Sequence, residues 1–238
     1  MQAVLMAGGK GTRLRPYTAV LPKPLVPIGE TSIIEMVLRQ LRFHGFERIK
    51  ISVGYKAELI MAVVGDGKRF GMEVEYHKED APRGTVGALA EIEGLEENFL
   101  VMNGDICTNM NFKEIYDDHV AGGAPLTVGT FRRREKIELG VLELDETGRF
   151  LAGFREKPEY DFSVAMGVNA LNRSVVDLIP QGEFFGFDML LLKMLEQKIP
   201  VRCYRFSGRW LDIGRPDDYD RMCVEFQQNP GVYLPDGA

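Results

Sequence analysis

Near the N-terminus the chain reads "LMAGGKGTRLRP", Leu5 to Pro16, in which a short apolar run leads into three glycines and two arginines. The run from Gln2 to Met6 predicts a buried strand. Glycines after a strand let backbone amides approach a ligand closely, and the arginines place positive charge beside them. We therefore expect an anion-binding loop at the end of a strand in an α/β protein.

Two common glycine loops do not fit this stretch. A dinucleotide fingerprint needs G-x-G-x-x-G opening a helix, whereas the run that starts at Gly9 ends in Leu14 and is followed by Pro16. The triphosphate loop needs Gly-Lys-Ser or Gly-Lys-Thr, and neither occurs in the chain. A dehydrogenase and a P-loop enzyme are therefore both disfavoured.

Charge is unevenly distributed along the chain. The 238 residues carry a formal net charge of −6, but the first 29 contain no Asp or Glu and include Lys10, Arg13, Arg15 and Lys23. An acidic protein is a poor partner for nucleic acid or for an anionic membrane, so we expect neither as a partner. A small anionic ligand that binds the N-terminal loop is the better interpretation.

Hydrophobic periodicity predicts an α/β fold, with a mostly parallel sheet covered by helices in the first half and a mixed sheet in the second. We expect one domain over residues 1–238 and a loose tail after Pro230. The expected strands are 2–6, 49–53, 72–76, 99–102, 126–131, 140–144, 150–154 and 164–171, and the expected helices are 32–44, 58–64, 86–95, 187–196 and 217–228.

Cysteine usage and the apolar segments bear on the compartment. Cys107, Cys203 and Cys223 form no CxxC pair and lie far apart in sequence, so neither a zinc site nor a disulfide framework is indicated. The N-terminus has no signal-peptide pattern, and no apolar segment is long enough to span a membrane. We expect a cytoplasmic protein.

Six short motifs occur in one order along the chain. They are Ala7-Gly8-Gly9-Lys10-Gly11-Thr12-Arg13-Leu14, Pro22-Lys23-Pro24-Leu25, Gly84-Thr85-Val86-Gly87-Ala88-Leu89, Asn103-Gly104-Asp105, Arg155-Glu156-Lys157-Pro158 and Trp210-Leu211-Asp212-Ile213-Gly214. Together they resemble the signature elements of the sugar-1-phosphate nucleotidyltransferases, over about Met1 to Tyr219. The resemblance implies a Rossmann-like three-layer α/β/α mixed sheet, with a nucleotide-binding part at 1–125 and a sugar-phosphate-binding part at 126–229.

The resemblance implies that a sugar phosphate oxygen attacks the α-phosphorus of an NTP, which needs two anions held in line and their charge neutralised. It assigns catalysis to Arg13, Lys23, Asp105 and Asp212. It assigns nucleotide binding to Leu5, Ala7, Gly8, Gly9, Gly11, Thr12, Arg13, Lys23, Glu79, Gly84, Thr85 and Asp105.

The same resemblance assigns Mg²⁺ to Asp105 and Asp212, and carboxylate oxygens are the ligands that this hard cation prefers. Other interpretations are a turn residue for Asp105 and a helix N-cap for Asp212. The helix after Asp212 begins near Pro216, so capping falls to Gly214 or Arg215 and leaves Asp212 free for the metal.

Glu79 bears on the choice of nucleotide. A carboxylate only accepts hydrogen bonds, and guanine presents two adjacent donors on its pairing edge, so Glu79 favours GTP. The alternative is a solvent-facing Glu79, with the backbone near Gly84 reading the base.

The identity of the sugar is harder to predict from the sequence. Family members commonly have Asn-x-Gly-Ile-Tyr, whereas this chain has Ala165 at the first of these positions and Asn169 at the last. A second departure from the family pattern is Leu139, which precedes Gly140 at the place of the family's Tyr-Gly pair. Mannose-1-phosphate or a heptose-1-phosphate fits with GTP. The residues assigned to the sugar phosphate are Gly140, Glu156, Lys157, Gly167, Asn169 and Asp188.

Other functions stay open at this point. The main ones are a uridylyl-, thymidylyl- or cytidylyltransferase for another sugar phosphate and a catalytically silent homologue that binds nucleotide-sugars and regulates a partner. A homodimer through the second-half strands is also open.

Overall fold

The computed structural model describes residues 1–234. The strands are β1 Gln2–Ala7, β2 Pro27–Ile28, β3 Thr31–Ser32, β4 Arg48–Val53, β5 Glu73–Lys78, β6 Asn98–Asn103, β7 Ile106–Thr108, β8 Leu126–Lys136, β9 Val141–Leu144, β10 Leu151–Arg155, β11 Glu159–Asn172, β12 Val201–Phe206 and β13 Trp210–Asp212. The α-helices are α1 Ile33–Phe43, α2 Ala57–Val64, α3 Phe112–Gly122, α4 Phe187–Glu196, α5 Pro216–Gln228 and α6 Pro230–Tyr233.

Seven strands form the main sheet, in the order β12-β8-β11-β6-β1-β4-β5. Strand β11 is antiparallel to both of its neighbours, and the other pairings are parallel. Strand β1 pairs on both edges, with Leu5 opposite Ile51 and Met102. A parallel strand buried on both faces is nearly all apolar, as the sequence of β1 is. The predicted mixed α/β sheet is confirmed.

Helices cover both faces of the sheet and give three layers. One core contains Leu5 and other sheet residues packed against α1, α2, α3 and α5. The second core contains Val4, from the opposite face of β1, packed against α4 and the short 3₁₀ segments Gly87–Glu91 and Arg173–Leu178. Alternate residues of β1 therefore contribute to different cores. No helix within residues 1–234 is long and apolar enough to cross a membrane.

Helix α1 shows how local sequence fixes an element. The Ser32 side chain accepts from the Glu35 backbone N–H, and the Glu35 carboxylate accepts from the Ser32 N–H, which forms a capping box. The helix expected at 32–44 is confirmed as α1, and its residues Ile33, Ile34 and Leu38 are fully buried.

Three sequence expectations need correction. The helix expected at 86–95 is a shorter 3₁₀ segment at Gly87–Glu91, because the backbone becomes extended at Ile92 and Gly94 has a φ of +67°. Helix α3 and strand β12 were not expected. The tail expected to be loose contains α6, and residues 235–238 lie outside the described part of the chain.

Two features of the second half position the site described below. Strand β13 pairs antiparallel with β7, which sets Asp212 opposite Ile106 and next to Asp105. Strands β9 and β10 form a separate hairpin between β8 and β11, which continue past the edge of the sheet as a two-stranded ribbon.

Candidate active site

A cleft of about 480 Å³ lies at the carboxyl ends of β1, β5 and β6. This edge of a parallel sheet is where α/β proteins bind ligands, because the loops diverge there. Most predicted nucleotide residues line it, and so do Asp188 and Asp212 from the second half of the chain. The predicted residues among its lining are Ala7, Gly8, Gly9, Gly11, Arg13, Lys23, Glu79, Gly84, Thr85, Asp105, Asp188 and Asp212.

The first glycine loop is shaped by close approaches that a side chain would block. A Cβ on Gly8 would lie 2.3 Å from Glu79 Oε1. Gly11 has a φ of +59° and its Cβ position is 3.1 Å from Lys23 Cβ. The Thr18 hydroxyl donates to the Gly11 carbonyl at 2.8 Å and holds the loop closed. The loop therefore presents bare backbone at the cleft.

Lys23, Asp105 and Asp212 form the charged centre of the cleft. Lys23 Nζ lies 2.6 Å from Asp105 Oδ2 and 3.9 Å from Asp212 Oδ1. Lys23 is only 7% exposed, so its charge is directed at these two carboxylates. The three residues come from three separate motifs and meet because β7 and β13 pair.

The electrostatics of Asp212 reflect this crowding. Burial raises the pKa of the Asp212 carboxyl above its usual value, the Lys23 ammonium lowers it, and the Asp105 carboxylate raises it again. Arg13 also acts on this carboxyl, lowering its pKa. Two carboxylates that share one ammonium group make a site where additional positive charge is stabilised.

The donor set fits a divalent metal ion. Asp105 Oδ1 is buried and has no hydrogen-bond partner, so a ligand oxygen is left free beside Asp212. Residues 1–234 contain no group of three or more His, Cys, Asp or Glu side chains placed to hold a metal. Two carboxylates suit a cation that completes its shell with water and phosphate oxygens.

Glu79 lies at the back of the cleft and is held by the protein. Its Oε1 accepts from the Ser52 hydroxyl at 2.7 Å, and its Oε2 accepts from the Arg83 backbone N–H at 3.1 Å. Each carboxylate oxygen has a second lone pair, so the fixed carboxylate can still accept from a ligand.

The second glycine loop is tied to the start of α4. Gly84 has a φ of +81°, and its Cβ position is 2.6 Å from the Phe185 carbonyl oxygen. Thr85 Oγ1 accepts from the Phe187 backbone N–H at 2.7 Å. These contacts bring Phe184 and Asp188 to the cleft, so residues from both halves of the chain line one cleft.

Seven predicted site residues do not line the cleft: Leu5, Thr12, Gly140, Glu156, Lys157, Gly167 and Asn169. Leu5 is fully buried in the core, whereas Thr12 is exposed on a 3₁₀ turn. Gly140, Glu156 and Lys157 are exposed at the base of the β9–β10 hairpin, where Lys157 has a φ of +44°.

Gly167 and Asn169 lie on β11 behind the cleft. A Cβ on Gly167 would lie 2.8 Å from Asn103 Nδ2, so Gly167 supports a cleft residue from below. Asn169 is 5% exposed, and its Oδ1 is buried with no partner. Their roles stay predictions.

Sequence reasoning missed several residues that line the cleft, namely Met6, Pro24, Pro82, Arg83, Asn103, Phe184 and Gly186. Phe184 is 63% exposed, so its ring is open to solvent beside the cleft. Arg83 is anchored by its Nε to Glu91 Oε1 at 2.7 Å. Asn103 and Pro24 belong to quoted motifs, but Phe184 has no local signal in the sequence.

The family model described as nucleotidyl transferase matches residues 2–229. The UTP–glucose-1-phosphate uridylyltransferase of a Synechocystis strain is 31% identical over 240 residues, covering 92% of this chain and 61% of that protein. The D-glycero-alpha-D-manno-heptose 1-phosphate guanylyltransferase of Aneurinibacillus thermoaerophilus is 30% identical over 234 residues, covering 95% of this chain and 99% of that protein.

Among solved structures, HddC from Yersinia pseudotuberculosis aligns with a TM-score of 0.72 at 25% identity, covering 94% of this chain and 99% of that one. This chain spans about three fifths of the length of the first curated relatives it matches. The family match, by contrast, includes nearly every described residue. The chain belongs to the nucleotidyl transferase family, among the sugar-1-phosphate nucleotidyltransferases.

Proposed function

We propose that this protein transfers a nucleotidyl group from an NTP to a sugar 1-phosphate. The observation that carries the proposal is the Lys23, Asp105 and Asp212 cluster at the edge of a glycine-lined cleft. An oxygen of the sugar phosphate forms a bond to the α-phosphorus, and the bond from that phosphorus to the bridging oxygen breaks. Pyrophosphate leaves with the bond's electron pair, so the reaction balances without an oxidant or a base that accepts a proton.

The charges of the site residues determine their roles in the reaction. The amides of Gly8, Gly9 and Gly11 approach the triphosphate, and Arg13 holds the pyrophosphate that leaves. Lys23 contacts the α-phosphate once substrates enter, because the phosphate replaces a carboxylate as its partner. Asp105 and Asp212 would hold Mg²⁺, which would supply positive charge to neutralise the phosphates. Catalysis here is mainly positioning and charge neutralisation.

GTP is the proposed nucleotide. Both uridylyl- and guanylyltransferases are among the relatives at about the same identity, so identity alone does not choose the base. Glu79 supports guanine, because its fixed carboxylate accepts from the adjacent N1–H and N2–H₂ donors. Uracil and thymine present only one donor on that edge.

Mannose-1-phosphate or a heptose-1-phosphate is the proposed acceptor. Asp188 lines the cleft and accepts from sugar hydroxyls. Asn169 has an unpartnered buried oxygen and compensates for the amide missing at Ala165. Lys157 binds the phosphate of the sugar and Glu156 accepts from its hydroxyls, and Gly140 and Gly167 belong to the same part of the site.

We place nucleotide binding in residues 1–125 and sugar-phosphate binding in 126–229, and the reaction in the cytoplasm. The three cysteines support the compartment, because all are free thiols.

The test is pyrophosphate release with Mg²⁺ from GTP, UTP, dTTP, CTP and ATP, each against a panel of hexose and heptose 1-phosphates. The proposal predicts one preferred pair, with GTP and a manno-configured sugar. Release with UTP or dTTP and glucose-1-phosphate would replace the proposed substrates. Nucleotide binding without turnover on any sugar phosphate would favour the silent regulatory homologue.

A substitution at Glu79 tests which nucleotide base the site binds. Glu79→Gln keeps the size and the Ser52 contact but replaces one acceptor oxygen by a donor. We expect the ratio of kcat/KM for GTP to that for UTP to fall about tenfold or more, the loss of one charge-assisted hydrogen bond. Ser52→Ala is the matched control, because it removes the hydroxyl that donates to Glu79 and keeps the Glu79 carboxylate. An unchanged ratio in Glu79→Gln would assign base reading to the backbone near Gly84.

A further inference from the structure

The ribbon that carries Asp212 is short. Strands β7 and β13 pair over three residues, with Trp210 opposite Thr108 at one end and Asp212 opposite Ile106 at the other. A two-stranded ribbon of this size is marginal in water by itself. The charged centre does not fix Asp212 either, because its Oδ1 lies 3.9 Å from Lys23 Nζ, which is too far for a hydrogen bond. A group that acts in a site has to be held within about 0.5 Å, so the ribbon needs support from other parts of the chain.

A closed ring of hydrogen bonds lies at the Thr108 end of the ribbon. Gln40 Nε2 donates to the Thr108 carbonyl at 2.8 Å and to the Tyr233 carbonyl at 2.7 Å. The Tyr233 hydroxyl donates to Glu225 Oε1 at 2.7 Å, and Arg209 Nη1 donates to the same oxygen at 2.5 Å. The Thr108 hydroxyl donates to the Arg209 carbonyl at 2.8 Å and closes the ring. The ring therefore joins α1, β7, α5 and α6 to Arg209, which directly precedes β13.

Three members of the ring are buried. Gln40 is 2% exposed, and Thr108 and Tyr233 are each 0% exposed. Burial raises the pKa of the Glu225 carboxyl, but the hydrogen bonds from Arg209 and Tyr233 outweigh it and leave the pKa below its usual value. Glu225 is therefore an ionised acceptor that two donors share. Hydrogen bonds to an ionised group are about twice as strong as neutral ones, so Glu225 is the strongest point of the ring.

The backbone at the start of β13 is anchored as well. The Arg209 N–H donates to Asn109 Oδ1 at 2.7 Å, and the Arg209 carbonyl accepts from the Asn109 N–H at 3.2 Å. Trp210 is tied to β11, because its Nε1 donates to the Met166 carbonyl at 2.9 Å. Asp212 follows Trp210 after one intervening residue. The contacts of Arg209 and Trp210 therefore determine where the Asp212 carboxylate lies.

We propose that Glu225 is a positioning residue, which acts through the hydrogen-bonded ring to hold β13 so that Asp212 stays beside Asp105. The described residues that line the cleft include no member of the ring, so Glu225 acts through the ribbon and not by touching a substrate. Replacing a group that orients a metal ligand typically costs about 10- to 100-fold in metal affinity or activity. The role of Asp212 toward a metal rests on the proposed function, whereas the hold of the ring on β13 does not.

The test compares substitutions at Glu225 in the full chain. Glu225→Ala removes the acceptor that Arg209 and Tyr233 share, whereas Glu225→Gln keeps an acceptor oxygen and removes the charge. Tyr233→Phe is a milder break, because it removes one hydroxyl. Asp118→Ala is the matched control: Asp118 on α3 accepts from Arg202 Nε and Nη2 at 2.9 Å each, and the Asp118 and Glu225 side chains are 31% and 27% exposed.

Hydrogen exchange reports on the ribbon without substrate or metal. We expect the amides of Trp210–Asp212 and Ile106–Thr108 to exchange about tenfold faster or more in Glu225→Ala than in the wild type, and at the wild-type rate in Asp118→Ala. Glu225→Gln should restore most of the protection, and Tyr233→Phe should give an intermediate rate. Wild-type rates in Glu225→Ala, or in Tyr233→Phe if Glu225→Ala does not fold, would overturn the proposal. Faster exchange spread over all elements would also overturn it, because the ring would then serve general stability.

Metal binding and kinetics read the effect on the site itself. Mn²⁺ alone should bind about tenfold more weakly to Glu225→Ala than to the wild type, and Glu225→Gln should recover most of the affinity. With Mg²⁺ and saturating substrates, kcat should fall about tenfold in Glu225→Ala. The KM for GTP should change less than roughly threefold, because the two glycine loops are held by contacts of their own.

The outcomes separate this proposal from the proposed function. Wild-type Mn²⁺ affinity and kcat in a Glu225→Ala protein whose ribbon exchanges faster would overturn the link from the ring to Asp212. A wild type without turnover on any sugar phosphate would refute the proposed function alone, because the exchange and Mn²⁺ measurements need no substrate.

Discussion

Removing the Asp105 carboxylate is the perturbation that the site geometry makes most quantitative. Asp105→Asn keeps the shape of the side chain but removes the charge that lies 2.6 Å from Lys23 Nζ. Lys23 remains 7% exposed, with Asp212 at 3.9 Å as its nearest carboxylate. The substitution therefore leaves a buried ammonium group with a weaker partner.

The size of the effect follows from the distance and the exposure. At 2.6 Å the Coulomb energy is about 6 kcal/mol with an effective dielectric constant near 20 and about 1.6 kcal/mol in water. The Asp105 side chain is 26% exposed, so solvent screens part of the attraction and desolvation offsets more. We expect a coupling free energy of about 2 kcal/mol between Lys23 and Asp105, a roughly 30-fold change in the unfolding equilibrium.

The assay is a double-mutant cycle in urea with a metal chelator present. The variants are Asp105→Asn, Lys23→Met and the two combined, and the combined variant should lose about 2 kcal/mol less than the sum of the single losses. Asp220→Asn, an exposed carboxylate on α5, is the control and should change stability by less than about 0.5 kcal/mol. A coupling below about 0.5 kcal/mol would refute the pairing of Lys23 with Asp105.

The same variant separates fold from activity. Asp105→Asn should keep the circular dichroism of the wild type and lose about 10²- to 10³-fold in kcat with Mg²⁺, the usual cost of removing one group that stabilises developing charge. A near-normal kcat would remove Asp105 from the mechanism.

Two further predictions concern the loops and the core. Gly84→Ala should lower the free energy of unfolding by about 1–3 kcal/mol, because the φ of Gly84 is +81° and the new Cβ meets the Phe185 carbonyl. Gly9→Ala is the control and should be near neutral, because no atom lies within 4 Å of its Cβ position. Equal urea midpoints for the two variants would contradict this prediction. Burial lowers the pKa of His119 below 6.5, so its contribution to stability is complete above about pH 6.5 and is lost as the pH falls through the lowered value. His119→Gln should therefore show a shallower loss of stability between pH 6.5 and 5 in urea unfolding, and identical slopes would contradict the assignment.

The parts of the fold that the sequence could predict are those with a continuous apolar run, strong periodicity or clear caps. Strand β1 is an apolar run buried on both faces, and the buried positions of helix α1 follow a period of 3.6 residues. Helix α3 was missed because only Phe112, Ile115 and His119 are buried on it, too few for a clear stripe. The local signals for this helix are its ends, where Asn111 is the N-cap and Gly123 the C-cap.

The contacts of the 3₁₀ segment at Gly87–Glu91 could not be predicted from local pattern, because the Val86 and Gly87 amides at its start donate to the Phe185 carbonyl, almost 100 residues later. Strand β12 has a weak local signal for a different reason. It is an edge strand whose Val201, Tyr204 and Phe206 are only partly buried and are separated by polar residues.

The candidate site was predictable as a set of motifs but not as a geometry. Lys23, Asp105 and Asp212 were singled out from their motifs, whereas their meeting requires the three-residue pairing of β13 with β7. Phe184 was missed for a similar reason: it reaches the cleft only because Thr85 binds the start of α4. The local sequence shows which residue types are available, whereas long-range strand pairing determines which of them come together in the site.

In the proposed reaction a sugar phosphate oxygen attacks the α-phosphorus of the nucleotide. The most direct test is to supply a sugar 1-phosphate labelled with ¹⁸O throughout its phosphate, together with unlabelled GTP and Mg²⁺, and to measure both products by mass spectrometry. We expect every labelled oxygen to stay in the nucleotide-sugar and the pyrophosphate to carry none. Label in the pyrophosphate, or inorganic phosphate and GDP as the products, would contradict it.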